Sequence, residues 1–162
     1  MSKLIYVETS VASFYTETRD TDDVRIRRRW THEWWHLPVK RRLVTSFVVR
    51  EELSMIPDAQ RRAAALAVIQ PLEQVAYTSE VQEIIEVYLA HKLMPHEGLG
   101  DAAHLALASF HECDMLVTWN CKHLANANKT DHIRRINALL GLRTPLLVTP
   151  LELMEQDDED ET

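Results

Sequence analysis

Short runs of apolar residues alternate along this chain with longer stretches in which apolar and polar positions mix. Leu4-Ile5-Tyr6-Val7, Met115-Leu116-Val117-Thr118-Trp119 and Leu146-Leu147-Val148-Thr149 are such runs, and Leu43-Val44-Thr45 is a fourth candidate. They are too brief for helices, and their β-branched and aromatic content suits strands buried on both faces. Between them, apolar residues recur with helical spacing over Val24 to His36, Phe47 to Met55, Asp58 to Gln70, Ser79 to Lys92, Asp101 to His111 and Thr130 to Leu140. Strands alternating with helices predict an α/β fold, a central parallel β-sheet flanked by α-helices. The punctuation agrees: Pro38, Pro57, Pro95, Pro145 and Pro150 fall between the periodic segments, Pro71 ends the helix before it, and Gly141 follows a helix as a C-terminal glycine does.

At 162 residues and 18.8 kDa, with 46% hydrophobic residues and three glycines, the chain has the size and composition of one globular domain with its own core. We expect that domain to span 1–154, followed by an acidic, disordered tail over 155–162. The apolar run at Leu4 to Val7 meets Glu8 at once, too short for a signal segment or membrane span, so a cytoplasmic protein without membrane attachment is expected. Cys113 and Cys121 fit no zinc or redox spacing and are expected as packed thiols.

The net charge of −7 misleads, because Glu155, Asp157, Asp158, Glu159, Asp160 and Glu161 supply six of the negatives and the body is close to neutral. Within the body, arginines cluster at 25–29, 41–42, 61–62 and 134–135, a pattern that can attract phosphate backbones or simply solvate helix faces. The tail reads either as a soluble end or as a competitor for those arginines.

Carboxylates hold the candidate chemistry. Ligands of open parallel sheets bind beyond the carboxyl ends of the strands. Two strands end in polar residues there: Val7 runs into Glu8-Thr9-Ser10, and Trp119 into Asn120. Asp101 opens a helix after Gly98-Leu99-Gly100, and Glu52, with Glu51 as its rival, lies on the helix after the 43–45 strand. Taken singly, Asp101 also reads as a helix cap, Glu52 as a solvated acid and Asn120 as a turn residue. Glu8 stands out, since an acid directly after a buried strand needs a partner or water. Together, such oxygens suit Mg²⁺ or Mn²⁺, which activate water and offset charge on a phosphate.

Tyr6-Val7-Glu8-Thr9-Ser10, Thr45-Ser46 through Glu51-Glu52-Leu53, Gly100-Asp101-Ala102-Ala103-His104-Leu105-Ala106-Leu107-Ala108 and Leu116-Val117-Thr118-Trp119-Asn120 resemble, in order, the motifs of PIN-domain nucleases of the VapC-like type. The resemblance extends to about Leu153. It implies a PIN-like fold and a metal-dependent endoribonuclease, the toxin of a toxin–antitoxin pair. It further implies Glu8, Glu52, Asp101 and Asn120 as the catalytic set, Glu8 and Asp101 as ligands of Mg²⁺ or Mn²⁺, and Ser10 and Thr118 as supporting hydroxyls. An RNA substrate, a protein antitoxin and a homodimer follow as expected partners. Glu52 is preferred to Glu51 for its offset from Ser46 and the Leu53 that follows. Two departures stand out: Glu8 replaces the usual Asp and reaches about 1.5 Å further, and the neutral Asn120 weakens the hold on a second metal.

His32-Glu33-Trp34-Trp35-His36 matches H-E-x-x-H, a zinc-peptidase motif. Its basic, proline-bounded helix and the need for a third ligand argue against zinc. His104, one turn after Asp101, is placed to lean over the site but reads first as a structural histidine. The segment Val24 to His36 mixes tryptophans with arginines and suits either a protein interface or a cover for the sheet. A PIN-like module that binds RNA or a protein without cutting is the remaining alternative.

Overall fold

The computed structural model describes residues 2–95 and 99–154, so Gly98 and the acidic segment 155–162 lie outside the described residues. Five parallel strands, β1 (Lys3–Val7), β2 (Arg41–Thr45), β3 (Glu73–Gln74), β4 (Met115–Val117) and β5 (Leu146–Val148), form one sheet in the order β3-β2-β1-β4-β5. The helices are α1 (Thr9–Tyr15), α2 (Asp22–Trp35), α3 (Phe47–Ser54), α4 (Ala59–Ile69), α5 (Ser79–Ala90), α6 (Leu99–Phe110) and α7 (Ala127–Leu139), with a last turn over 150–154. The expected α/β architecture with an all-parallel sheet is the one observed.

Strand periodicity explains why β4, and β1 beyond the exposed Lys3, are apolar throughout. Tyr6, Val44 and Leu116 point into a large core shared with α3 to α7, where Leu53, Ile85, Leu105, Leu107 and Ile133 are buried. Their neighbours Ile5, Val7, Met115 and Val117 point the other way, into a second cluster with Val11, Trp34, Val148 and Leu153. Alternate residues therefore serve opposite faces, and both faces are covered. Trp34 is buried in this second cluster, so much of the apolar content of α2 covers the sheet.

Two elements escape the hydrophobic pattern. Helix α1 is only seven residues of Thr-Ser-Val-Ala-Ser-Phe-Tyr, poor in strong helix formers. It forms because Glu8 caps it, accepting a hydrogen bond from the Ser10 backbone N–H, and because Val11 and Ala12 are buried. Strand β3 is two exposed polar residues, Glu73 and Gln74, paired with Val44 and Thr45.

Boundaries also shift. The strand expected over 115–119 ends at Val117, because the Thr118 hydroxyl turns to Glu8 and the backbone of Trp119 turns to Ser10. Helix α6 begins at Leu99, so Asp101 sits within its first turn instead of opening it, where the helix dipole favours an acid. Gly141 takes the left-handed conformation, φ 71°, that a glycine after a helix adopts. Cys113 packs in the core, whereas Cys121 is exposed, contrary to the expectation that both would pack.

Candidate active site

The strand order reverses between β1 and β4: the chain proceeds outward from β1 to β2 and β3, then returns to the other side of β1 for β4 and β5. Loops leaving the carboxyl ends of these two neighbours diverge, and a crevice opens between them. Glu8 follows β1 and its backbone N–H bonds to the Val117 carbonyl at 3.1 Å, so the two strand ends lie side by side.

Glu8 is buried. Its Oε2 accepts hydrogen bonds from the Ser10 N–H at 2.9 Å, the Ser10 hydroxyl and the Thr118 hydroxyl at 2.8 Å. The additional methylene relative to aspartate is thus accommodated by folding the carboxylate back onto the start of α1. Ser10 and Thr118, expected as supporting hydroxyls, hold that carboxylate, and Ser10 also accepts a bond from the Trp119 N–H at 2.8 Å.

Asp101 reaches the same end of the sheet from α6. Its Oδ1 accepts a hydrogen bond from the Asn120 side-chain amide at 2.9 Å. Asn120 is fixed in turn, because its Oδ1 accepts the backbone N–H groups of Lys122 at 3.2 Å and His123 at 3.0 Å. With its carbonyl oxygen spent on the backbone, Asn120 orients Asp101 through its amide. Burial pushes the Asp101 carboxyl up, against the pull of Asn120, His104 and His123, and the charge of Glu52 adds to the rise.

Glu52 comes from α3 and turns inward, while Glu51 is exposed. The Thr9 hydroxyl donates to Glu52 Oε1 at 2.7 Å, and the His104 Nε2–H donates to the same oxygen. Its other oxygen lies over Gly100, where an added Cβ would come within 2.8 Å of Oε2. Burial works to raise the Glu52 carboxyl, but the hydrogen bonds from His104 and Thr9 and the charge of His104 outweigh it and leave the group below its ordinary value.

His104 is the residue that sequence alone reads as structural and leaves out of the site. It is fully buried, contacts Glu52, lies 3.9 Å from Glu8 Oε1, and its Nδ1 hydrogen-bonds the Tyr6 hydroxyl at 2.7 Å, which in turn bonds Ser46 at 2.7 Å. Burial disfavours its charged form, yet the hydrogen bond to Glu52 and the charges of Glu8, Glu52 and Asp101 raise its pKa above the ordinary histidine value. The available sequence signal was its place one turn after Asp101, on the same helix face.

Each acid thus spends one oxygen on structural hydrogen bonds. Glu8 Oε1, Glu52 Oε2 and Asp101 Oδ2 accept no hydrogen bond among the described residues. Hard oxygen donors with an open position suit a cation that keeps water and phosphate in its shell. Among the described residues, no group of three or more His, Cys, Asp or Glu side chains is arranged to hold a metal by itself.

The H-E-x-x-H segment is spent on packing. His32 stacks on Tyr15 at 3.9 Å and its Nε2 bonds the Tyr15 carbonyl at 2.8 Å, His36 Nε2 bonds the Tyr15 hydroxyl at 3.0 Å, and Glu33 pairs with Arg29.

The fold and site define an α/β protein with an acidic crevice at the reversal of its strand order. Neither a family model nor a curated protein matches the sequence. Among solved structures, the chain is similar to VapBC2 from Rickettsia felis, determined bound to a DNA fragment from its promoter, with a TM-score of 0.47, 13% identity, and coverage of 74% of this chain and 89% of that one. No helix among the described residues is long and apolar enough to cross a membrane.

Proposed function

We propose that this chain is a metal-dependent endoribonuclease of the PIN-domain, VapC-like type, a cytoplasmic toxin held in check by a protein antitoxin. The single observation that carries the reading is the meeting of Glu8, Glu52, Asp101 and Asn120, from four separate segments, at the carboxyl edge of β1 and β4. A structural role alone does not require three acids in one crevice, each with one oxygen left open.

Glu8 and Asp101 would hold Mg²⁺ or Mn²⁺, with water and a substrate phosphate completing the shell, in keeping with the preference of Mg²⁺ for few carboxylates. The bound cation supplies Lewis acidity: it offsets charge on the phosphate and makes water a better nucleophile. The chain's own residues do the positioning. Ser10 and Thr118 fix the direction of Glu8, and Asn120 fixes Asp101. Glu52, oriented by Thr9 and His104, is the carboxylate left to orient water and accept its proton. His104, which faces all three acids, in its charged form offsets part of their mutual repulsion before any cation binds.

The test is cleavage of a labelled structured RNA pool by the pure protein with Mn²⁺, Mg²⁺, Zn²⁺ or EDTA, with Asp101→Asn as control. Cutting that needs Mn²⁺ or Mg²⁺ and disappears in EDTA and in the variant is the expected result. A folded protein that binds RNA and cuts under none of these conditions would replace the nuclease with a binding module.

A further inference from the structure

Helix α2 carries four arginines at 25 and 27–29, and three of them are committed within the protein. Arg25 pairs with Asp20 and Asp22. Arg28 donates to the carbonyls of Glu17 at 2.7 Å and Arg19 at 3.3 Å. Arg29 pairs with Glu33 at 3.1 Å and lies over Trp30. The exposed Arg27 differs, because its guanidinium has no hydrogen bond or ion pair among the described residues. What holds it is aromatic: its Cζ lies 5.5 Å from the centre of the Phe14 ring and 5.9 Å from that of Trp119.

Those rings belong to the margin of the acidic crevice. Trp119 stands between Thr118 and Asn120, and its backbone N–H is fixed by Ser10. Its indole N–H donates to the buried Thr31 hydroxyl at 2.8 Å, and that hydroxyl donates to the Arg27 carbonyl at 2.6 Å. Trp119 is therefore tied at one end to the residue that positions Glu8 and at the other to the turn of α2 that bears Arg27. Phe14, on the helix capped by Glu8, meets Trp119 edge-on at 6.2 Å. Two ring contacts restrain the arginine while its N–H fork stays unspent.

We infer that Arg27 binds a backbone phosphate of the RNA strand, beside the one taken up at the acidic crevice. The inference rests on the nuclease reading for the nature of the strand. A polynucleotide carries an anion at every step, so a strand with one phosphate at Asp101 runs its neighbours past the adjoining Trp119. A restrained guanidinium loses little freedom on meeting a phosphate and matches it with two parallel N–H donors. It also sets a positive charge against Trp119, the neighbour of Asn120, where it can attract an incoming polyanion.

The experiment is fluorescence anisotropy of a labelled single-stranded RNA with the Asp101→Asn chain in Mn²⁺, titrated from low to high salt. Arg27→Ala in that background is expected to weaken binding about tenfold and to lower the salt dependence by roughly 0.7 in log–log slope, the value of one single-strand phosphate contact. Arg29→Ala, which removes the same charge from a paired position on the same helix, should change the dissociation constant less than about twofold. Arg27→Lys should keep the slope and bind with intermediate affinity, since it retains charge without the planar fork. Equal effects at 27 and 29, or loss of a protein partner's binding with RNA binding intact, would overturn the assignment. If the wild-type chain cuts RNA yet Arg27→Ala binds normally, the phosphate contact fails and the nuclease stands. If binding depends on Arg27 but no metal supports cutting, the phosphate contact stands and the nuclease fails. Absence of RNA binding at every salt concentration removes both.

Discussion

Replacing Gly100 by alanine sets stability against activity at one carbon atom. Gly100 lies in the first turn of α6, and alanine in a helix is more stable than glycine by about 0.5–1 kcal/mol. The added Cβ would stand 2.8 Å from Glu52 Oε2, well inside the 3.4 Å at which ordinary contact begins. The carboxylate must therefore retreat by roughly half an ångström, at the limit of what a catalytic group tolerates. Glu52 is not free to swing, because its other oxygen is held by Thr9 and His104. Weakening those charge-assisted bonds costs about as much as the helix gains, so the melting temperature should move by no more than about 2–4 °C in either direction. Cleavage should fall much more, by about tenfold, since a displacement of 1 Å at a reacting group is worth on the order of a hundredfold. Single-turnover cleavage of a labelled RNA and a thermal melt followed by circular dichroism measure the two quantities. Full activity at an unchanged or raised melting temperature would refute a role for Glu52 at its observed position. A drop of about 10 °C or more would show that the glycine is needed for folding.

Other outcomes follow from the same contacts. His104→Phe deprives Glu52 and the buried Tyr6 hydroxyl of a common partner and should cost about 2–4 kcal/mol in urea unfolding; a loss below about 1 kcal/mol would show the network to be dispensable. Glu17 is buried, which alone would raise its carboxyl, but the side chain and backbone N–H of Arg19 and the charge of Arg61 hold it below its ordinary value. A depressed folded-state value stabilises the protein above the unfolded carboxylate range, and that contribution is lost as pH falls through the folded value. The wild type should therefore lose stability over Glu17→Gln progressively below about pH 5 in urea titrations, and parallel curves would contradict this. Because His32 and His36 are occupied by Tyr15, the double substitution His32→Gln/His36→Gln should leave metal-dependent RNA cleavage within about threefold of wild type. Loss of cutting with the fold intact would return the H-E-x-x-H segment to the active site.

The parts of the fold legible in the sequence are those that burial imposes on consecutive residues. β4, and β1 from Leu4 onward, serve a core on each face, so those positions are all apolar and the runs announce themselves. β3 has no such requirement: at the sheet's edge, two polar residues suffice. Helix α1 was hidden because the same Glu8 that marks the end of β1 also caps α1, and a strand end read as a loop conceals a helix start. For the site, Glu8 and Asn120 could be read from strand ends, and Glu52 over Glu51 from motif offset alone. His104 could not, because within Ala-Ala-His-Leu-Ala-Leu it looks like core, and its ionic partner Glu52 stands 52 positions away. Arg27 was one of several arginines until the three-dimensional structure showed which of them were already paired.

The sheet is narrow at its margins, with two residues at Glu73–Gln74 on one side and three at Leu146–Val148 on the other. Pro145 stands directly before the second of these, so the backbone there lacks a donor just where a ladder would lengthen. Such stubs give a foreign strand little to zip onto, which guards a crowded cell's copies of the chain against edge-to-edge aggregation. Any orderly pairing of copies must then be built through helices and side chains, where sequence can choose the partner, and not through backbone hydrogen bonds, which any chain can make.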